Sequence, residues 1–297
     1  MMRASLSLRF RVFFFISAIF LSFAPLSLNA QSDPMFRSWN RPIEPFRIIG
    51  NIYYVGAENV SSFLIATSDG LIVLDGGFPE TAPIIKDNIK KLGFTLENVK
   101  ILLCVHAHVD HAGGLVELKK WTRAILFSSE ADAVLLANGG KGDPQFGDQY
   151  PFPSVKADGI VRDKEQVKLG ESLLTAYLTP GHTKGCLTWT MKAKEGDKTY
   201  DVVFMSSISC PGYKFRDNPK YPDNAADFEY TFKFLKTLPC DVYLAQHGFE
   251  FSFKEKRERL EKGEKTNPFI DPQGYRDAID RAEKKFREQL EKERKEE

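Results

Sequence analysis

Cysteine is scarce in this chain, at four in 297 residues. Cys104, Cys186, Cys210 and Cys240 form no CxxC and no paired spacing, which excludes zinc-finger and thioredoxin-like frameworks. Their apolar neighbours ("ILLCVH", "GCLTW", "LPCDVYL") point to buried free thiols, with a Cys210–Cys240 bridge left open. Charge of one sign is also lacking. Lys and Arg number 41 against 40 Asp and Glu, a net +1, so nothing in the charge points to nucleic acid or an anionic membrane as partner. There is no GxSxG, hence no serine held on a nucleophile elbow. The longest apolar run, "VFFFISAIFLSFA", falls short of the roughly 20 residues that a bilayer crossing needs. It follows Arg3, Arg9 and Arg11 and precedes "SLNA", the layout of a secretory signal peptide cut after Ala30. The expected organisation is therefore a signal peptide over 1–30 and a single domain over 31–297. That domain would be periplasmic or secreted, with no membrane contact after cleavage.

With 42% hydrophobic and 27% charged residues, the remainder has the composition of an ordinary globular chain. "SDPMFRSWNRPIEPF" is an extended lead whose prolines discourage regular structure. "NIYYVGAENVSSFLIATSDGLIVLDGG" reads as three short strands broken by turn signals. "TAPIIKDNIKKLGF" sets Ile85, Ile89 and Leu92 on one helical face and stops at a glycine. "VKILLCV" is a continuous apolar run, the mark of a buried strand. Strands and helices then alternate. The second half closes on a helix from Pro272, carrying Tyr275, Ile279, Ala282, Phe286 and Leu290 on one face, whose charged last turns are expected to fray. Alternating elements after early hairpins predict two sheets packed together with helices outside.

Histidine is nearly as rare as cysteine, yet all five stand in short motifs: His106, His108 and His111 in "HAHVDHAGG", His182 in "PGHTKG" and His247 in "AQHGFE". Each motif follows an expected strand, so all can meet at one edge. In an extended segment residues two apart face the same side, so His106 and His108 can share one ion. Asp110 and His111, where the chain turns into the next helix, can reach a second. Neutral imidazole suits zinc, and three protein ligands leave a position for water, as in a catalytic site. Zinc lowers the pKa of that water toward about 7.

"VLDGG", "HAHVDHAGG", "PGHTKG" and a last histidine after a strand resemble the metallo-β-lactamase superfamily, whose fold is a four-layer αββα sandwich of two mixed sheets. The resemblance assigns one zinc to His106, His108 and His182, and a second to Asp110, His247 and one further ligand. Thioesterases, lactonases and tRNA-processing nucleases of the superfamily carry a metal-bridging aspartate on the strand after the P-G-H motif. Here that strand, "VVFMSSIS", offers only Ser206 or Ser207. One β-lactamase subclass uses a cysteine, for which Cys210 is the nearest candidate. In subclass 3 of the class B β-lactamases, a histidine directly after the aspartate completes the second site. His111 is such a histidine, and "GLIVLDGG", "GHTKG", "SISCPGY" and "NPFIDPQGYR" extend this similarity along the chain.

The resemblance implies a two-zinc enzyme hydrolysing the amide of penicillins, cephalosporins and carbapenems by a zinc-bound hydroxide. Asp110 would anchor one zinc and orient the hydroxide, and Asp75 would steady a ligand histidine. Ser207 and Ser209 would bind the substrate carboxylate. Trp39, Gln145 and Phe146 would wall the cleft, although Trp39 equally suits packing of the N-terminal arm. The expected partner is this small molecule alone, with the protein a monomer. The alternatives are a lactone or thioester hydrolase of the same fold, and a binding protein that has kept the metal site without turnover.

Overall fold

Period-two burial sorts the strands between two hydrophobic layers. Phe63 and Ile65 turn into one core and Leu64 into the other; Ile72 and Leu74 join the first, Leu71 and Val73 the second. The computed structural model describes residues 34–296, so the expected signal peptide lies outside the described residues.

A seven-stranded sheet runs in chain order: β1 (Phe46–Ile49), β2 (Ile52–Tyr54), β3 (Phe63–Thr67), β4 (Gly70–Leu74), β5 (Val99–Leu103), β6 (Ile125–Ser128) and β7 (Gly159–Ile160). Pairing is antiparallel to β4 and parallel from there on. The parallel part needs crossovers, supplied by α2 (Thr81–Lys91), the short α3 (Val109–Ala112) with α4 (Leu115–Thr122), and α5 (Glu130–Ala137). Ala82, Ile85 and Ile89 of α2 and Leu115 and Leu118 of α4 are buried with Leu64 and Val73, so these helices cover the outer face.

The second sheet has the order β12 (Val242–Ala245), β11 (Lys198–Met205), β10 (Leu187–Glu195), β9 (Ser172–Leu178), β8 (Gln166–Leu169). It faces the first through side chains such as Phe63 and Phe204, whose ring centroids are 5.3 Å apart. Helix α6 (Asn224–Leu235) bridges the parallel pair β11–β12, and α8 (Pro272–Lys295) packs on α6 and β12. The result is the expected αββα sandwich. None of the described helices is long and apolar enough to cross a membrane.

One expectation needs correction and another needs detail. The lead is not wholly extended: Pro34–Trp39 forms a helix, α1, with proline in its first turn, where the missing N–H costs no hydrogen bond. The last turn of α8 is solvated as expected, but not wholly without contacts. Leu290 is buried, and the Glu293 carboxylate accepts from the backbone N–H groups of Phe215 and Arg216 at 3.0 Å each, which ties the helix to the loop after β11. A helix α7 (Phe253–Glu261), which the sequence left unassigned, fills the stretch between. All four cysteines are free thiols, two buried and two half-buried, with no Cys210–Cys240 bridge.

Candidate metal centre

The histidine motifs follow the C-terminal ends of β5, β9 and β12, and their side chains converge. Ligand atoms of His106, His108 and His182 lie within 4.8 Å of one another, and so do those of His106, Asp110 and His111. His247 joins through Asp110, with Nε2 3.4 Å from Asp110 Oδ2, which is also 3.3 Å from His111 Nε2. All six expected ligands therefore meet. By distance alone His106 belongs to both groups. Gly114 lets the turn after the cluster close against β4: its N–H donates to Gly77 O at 2.9 Å, and a β-carbon there would run into Gly76 O.

The outer nitrogens fix which imidazole lone pairs face inward. His182 Nδ1 lies 2.7 Å from Ser209 O, a carbonyl that can only accept, so Nδ1 carries the proton and Nε2 is a free lone pair. Asn59 O does the same for His247 Nδ1 at 3.0 Å, and Asp143 Oδ2 for His108 Nε2 at 3.2 Å. Hence His108 Nδ1 and His182 Nε2, 3.0 Å apart, point two lone pairs at each other. Such a pair is repulsive unless a cation lies between them. The edge of a tetrahedron of nitrogens about 2.0–2.1 Å from zinc is roughly 3.3 Å, close to the spacings found. Both nitrogens of His106 and of His111 are buried without a hydrogen-bond partner, a cost that coordination removes. This donor set fits a metal ion, and these groups are positioned to hold one.

Electrostatics agree. Burial holds the His106 and His182 imidazoles well below their ordinary pKa, with neighbouring imidazoles adding to the effect, and it lowers His111 against the pull of Asp110. Burial also lowers His108, but the hydrogen bond and charge of Asp143 prevail and raise it. Burial works against the charge on Asp110, yet His111 and His247 outweigh it and hold the carboxyl well below the usual carboxylate range. The lowered imidazoles of His106, His111 and His182 beside an ionised Asp110 are what a divalent cation requires, and His108 alone is shifted the other way.

Asp75 lies under this cluster. It adopts a left-handed backbone (φ 62°), which is uncommon outside glycine and here aims the side chain inward. Oδ1 accepts from Val105 N–H at 2.8 Å, and Oδ2 lies 3.6 Å from His111 Nδ1, near that imidazole but beyond hydrogen-bond distance.

Above the cluster opens a cavity of about 450 Å³, walled by Phe36, Trp39, Phe146, Tyr150, Phe249 and Ser209 among others. Trp39 lines it and also packs at a tilt against His247, with centroids 4.9 Å and planes 57° apart. Phe146 meets His108 at 5.4 Å. Gln145 is not on the wall: its amide turns away to Asn224 Oδ1 at 3.1 Å. Ser207 Oγ is 3.0 Å from Ser209 Oγ, but Ser207 is 2% exposed, and of the two only Ser209 lines the cavity.

The sequence did not disclose three supporting residues. Asp143, within the turn "GDPQF", caps the Gln145 and Phe146 N–H groups with Oδ1 while Oδ2 holds His108. Tyr213 donates to His182 O at 2.9 Å and stacks on that imidazole. Asp132 joins the two main ligand loops, its Oδ2 accepting from Ala107 N–H, between His106 and His108, and from Thr183 Oγ1, next to His182, both at 2.9 Å. Burial lifts its carboxyl to about 6. Its only sequence signal is the S-x-x-D spacing from the N-cap Ser129, which suggests a cap and nothing more.

Comparison with known proteins agrees with this geometry. Residues 55–247 match the family described as Metallo-beta-lactamase superfamily. The native FEZ-1 metallo-β-lactamase of Legionella gormanii is 41% identical with a TM-score of 0.83, covering 85% of this chain and 97% of its own. The class B3 di-zinc metallo-β-lactamase LRA-12 from an Alaskan soil metagenome is 36% identical with a TM-score of 0.78, covering 84% and 95%. Among curated proteins, the hydroxyacylglutathione hydrolase GloC of Haemophilus influenzae is 25% identical over 185 residues, 58% of this chain and 76% of its own.

Proposed function

This chain belongs to the metallo-β-lactamase superfamily, and from that premise we propose that it hydrolyses the amide of β-lactam antibiotics: penicillins, cephalosporins and carbapenems. In this reading His106, His108 and His182 hold one zinc and Asp110, His111 and His247 a second. Zinc, when bound, supplies Lewis acidity and lowers the pKa of water from 15.7 to about 7. The protein's own part is positioning. Ser209 O, Asp143 and Asn59 O lock three imidazoles in the tautomers that present lone pairs inward. Asp110, kept ionised, accepts a hydrogen bond from the attacking water and orients it. Phe146 and Trp39 narrow the cavity and exclude bulk water. Ser209 Oγ, braced by Ser207 Oγ, donates to the substrate carboxylate.

The reading is carried by the residues at the C-terminal end of β11. The strand ends at Met205, and Ser206, Ser207 and Ser209 come next, with no carboxylate where the thioesterase and lactonase branches have one. Likeness over most of the chain to metallo-β-lactamases, one of them described as class B3 and di-zinc, supports the same reading. We further read residues 1–30 as a cleaved signal, the mature single-domain protein as a periplasmic or secreted monomer, and the first residue after cleavage as Gln31. N-terminal sequencing and sizing of the exported protein test those points. The function itself is tested with a zinc-loaded protein and a panel of a penicillin, a cephalosporin, a carbapenem, an acyl-thioester and a lactone. Efficient turnover of the lactams is expected; turnover of the thioester or lactone with every lactam left intact would refute the reading.

A further inference from the structure

A second cavity of about 410 Å³ adjoins the first, and Ser209, Pro211, Phe249 and Glu250 wall both. Its interior is apolar, with Met205, Ile208 and Ala282 on its surface. Two cations of α8, Arg281 and Lys285, also line it, one helical turn apart and both exposed. Their neighbours are spoken for: Arg287 pairs with Glu283 at 2.6 Å, and Lys236 with Asp280 and Glu283 at 2.7 and 2.6 Å. Arg281 and Lys285 meet no carboxylate in an ion pair among the described residues. Tyr243 completes the wall. It is 1% exposed, and its hydroxyl is buried. The one acid on the wall, Glu250, is tied on the side of the first cavity, Oε2 accepting from His247 N–H at 3.4 Å.

We infer that this second chamber is the subsite for the substituent borne next to the carboxylate of a bicyclic lactam, and that it selects a substituent with an apolar body and an anionic end. The inference rests on the β-lactamase reading. If Ser209 holds the ring carboxylate, that carboxylate sits on the wall common to both cavities, and the group attached beside it is the part that faces the second chamber. The apolar surface accepts the body, and Arg281 and Lys285 attract the anionic end.

The test uses two cephalosporins that differ only in whether this substituent ends in a neutral group or a carboxylate. The zinc-loaded wild-type protein should show the higher kcat/KM for the acid. Arg281→Ala with Lys285→Ala, substitutions on an exposed helix face that leave the fold intact, should erase that preference. Exposed ion pairs contribute about 0.2–1 kcal/mol each, so the acid should lose roughly two- to thirtyfold, mainly through KM, while the neutral partner changes by less than about twofold. An equal kcat/KM for the two cephalosporins in the wild type, or an unchanged ratio in the double variant, overturns the inference alone. Failure to hydrolyse either compound overturns the β-lactamase reading and the inference with it.

Discussion

Replacing Asp132 by alanine should separate the two loops that carry His106, His108 and His182. The carboxylate is buried, and one oxygen, Oδ2, holds both Ala107 N–H and Thr183 Oγ1. Thr183 has an alternative, since its hydroxyl lies 3.3 Å from Cys186 Sγ, but Ala107 N–H has none. An orphaned buried donor costs about 1–3 kcal/mol, and the lost threonine bond about 0.5–1.5 kcal/mol. The expected destabilisation is therefore about 2–4 kcal/mol. At roughly 2–4 °C per kcal/mol for a protein of this size, Tm should fall by about 4–16 °C. Removing such a support from ligand loops typically weakens metal binding about 10- to 100-fold. Asp132→Asn keeps an acceptor oxygen and relieves the burial of a charge, so it should stay within about 1 kcal/mol of wild type and keep its zinc. Gly185→Ala should mimic the alanine variant, because a β-carbon there would run into Ser129 Oγ and Asp132 Oδ1. Calorimetry and a competitive chelator titration read both quantities. If Asp132→Ala binds zinc and melts as the wild type does, Asp132 does not join the loops in any way that matters.

Ser209→Ala removes the hydroxyl but keeps the backbone carbonyl that fixes His182, so zinc content should hold while kcat/KM for carboxylate-bearing lactams falls roughly ten- to a hundredfold, as expected for a bond to a charged group of about 1.5–3 kcal/mol; loss of zinc as well would show a structural role instead. His111→Ala should bring zinc, counted by elemental analysis, from about two ions per chain to about one, whereas equal weakening of both ions would mean that the six ligands are partitioned differently, as the position of His106 between the groups allows. Asp271 pairs with buried Lys256 at 2.8 Å and caps α8 through Gly274 N–H. Burial disfavours its charge, but Lys256 and that N–H prevail and lower its pKa, so this stability is present above the unfolded carboxylate value of about 3.9 and is lost as pH falls below it. Asp271→Asn should therefore lower Tm near neutral pH and flatten its decline in acid, which thermal melts from pH 7 to 3 would reveal; an unchanged acid slope would remove Asp271 from the account.

The six converging side chains were legible because each is spelled locally: a short motif directly after a strand needs no knowledge of the rest of the chain. The sandwich was legible for a similar reason, since alternation in β3 and β4 and the continuous run of β5 encode which faces are covered. The side chains that escaped are those whose meaning lies far away in sequence. Asp132 reaches Ala107 and Thr183, Asp143 reaches His108, and Tyr213 reaches His182, and nothing near any of them in the chain announces the partner. Gln145 was misjudged by the same token, because Asn224 and Lys214, which draw its side chain aside, come from the other half of the chain. Proline was overweighted in the lead, where Pro34 starts a helix, and at the solvated C-terminal end the backbone partner of Glu293 lies too far away in sequence to be read.

The central claim is that these six side chains hold metal for the cleavage of β-lactams, and a zinc titration tests it most directly. Protein stripped of metal by a chelator is mixed with increasing zinc, and the initial rate of cephalosporin and carbapenem hydrolysis is followed. The account predicts no activity without metal, a rise that saturates near two zinc ions per chain, and renewed loss when the chelator returns. Stripped protein as active as the loaded form, or loaded protein that leaves both lactams intact, would contradict it.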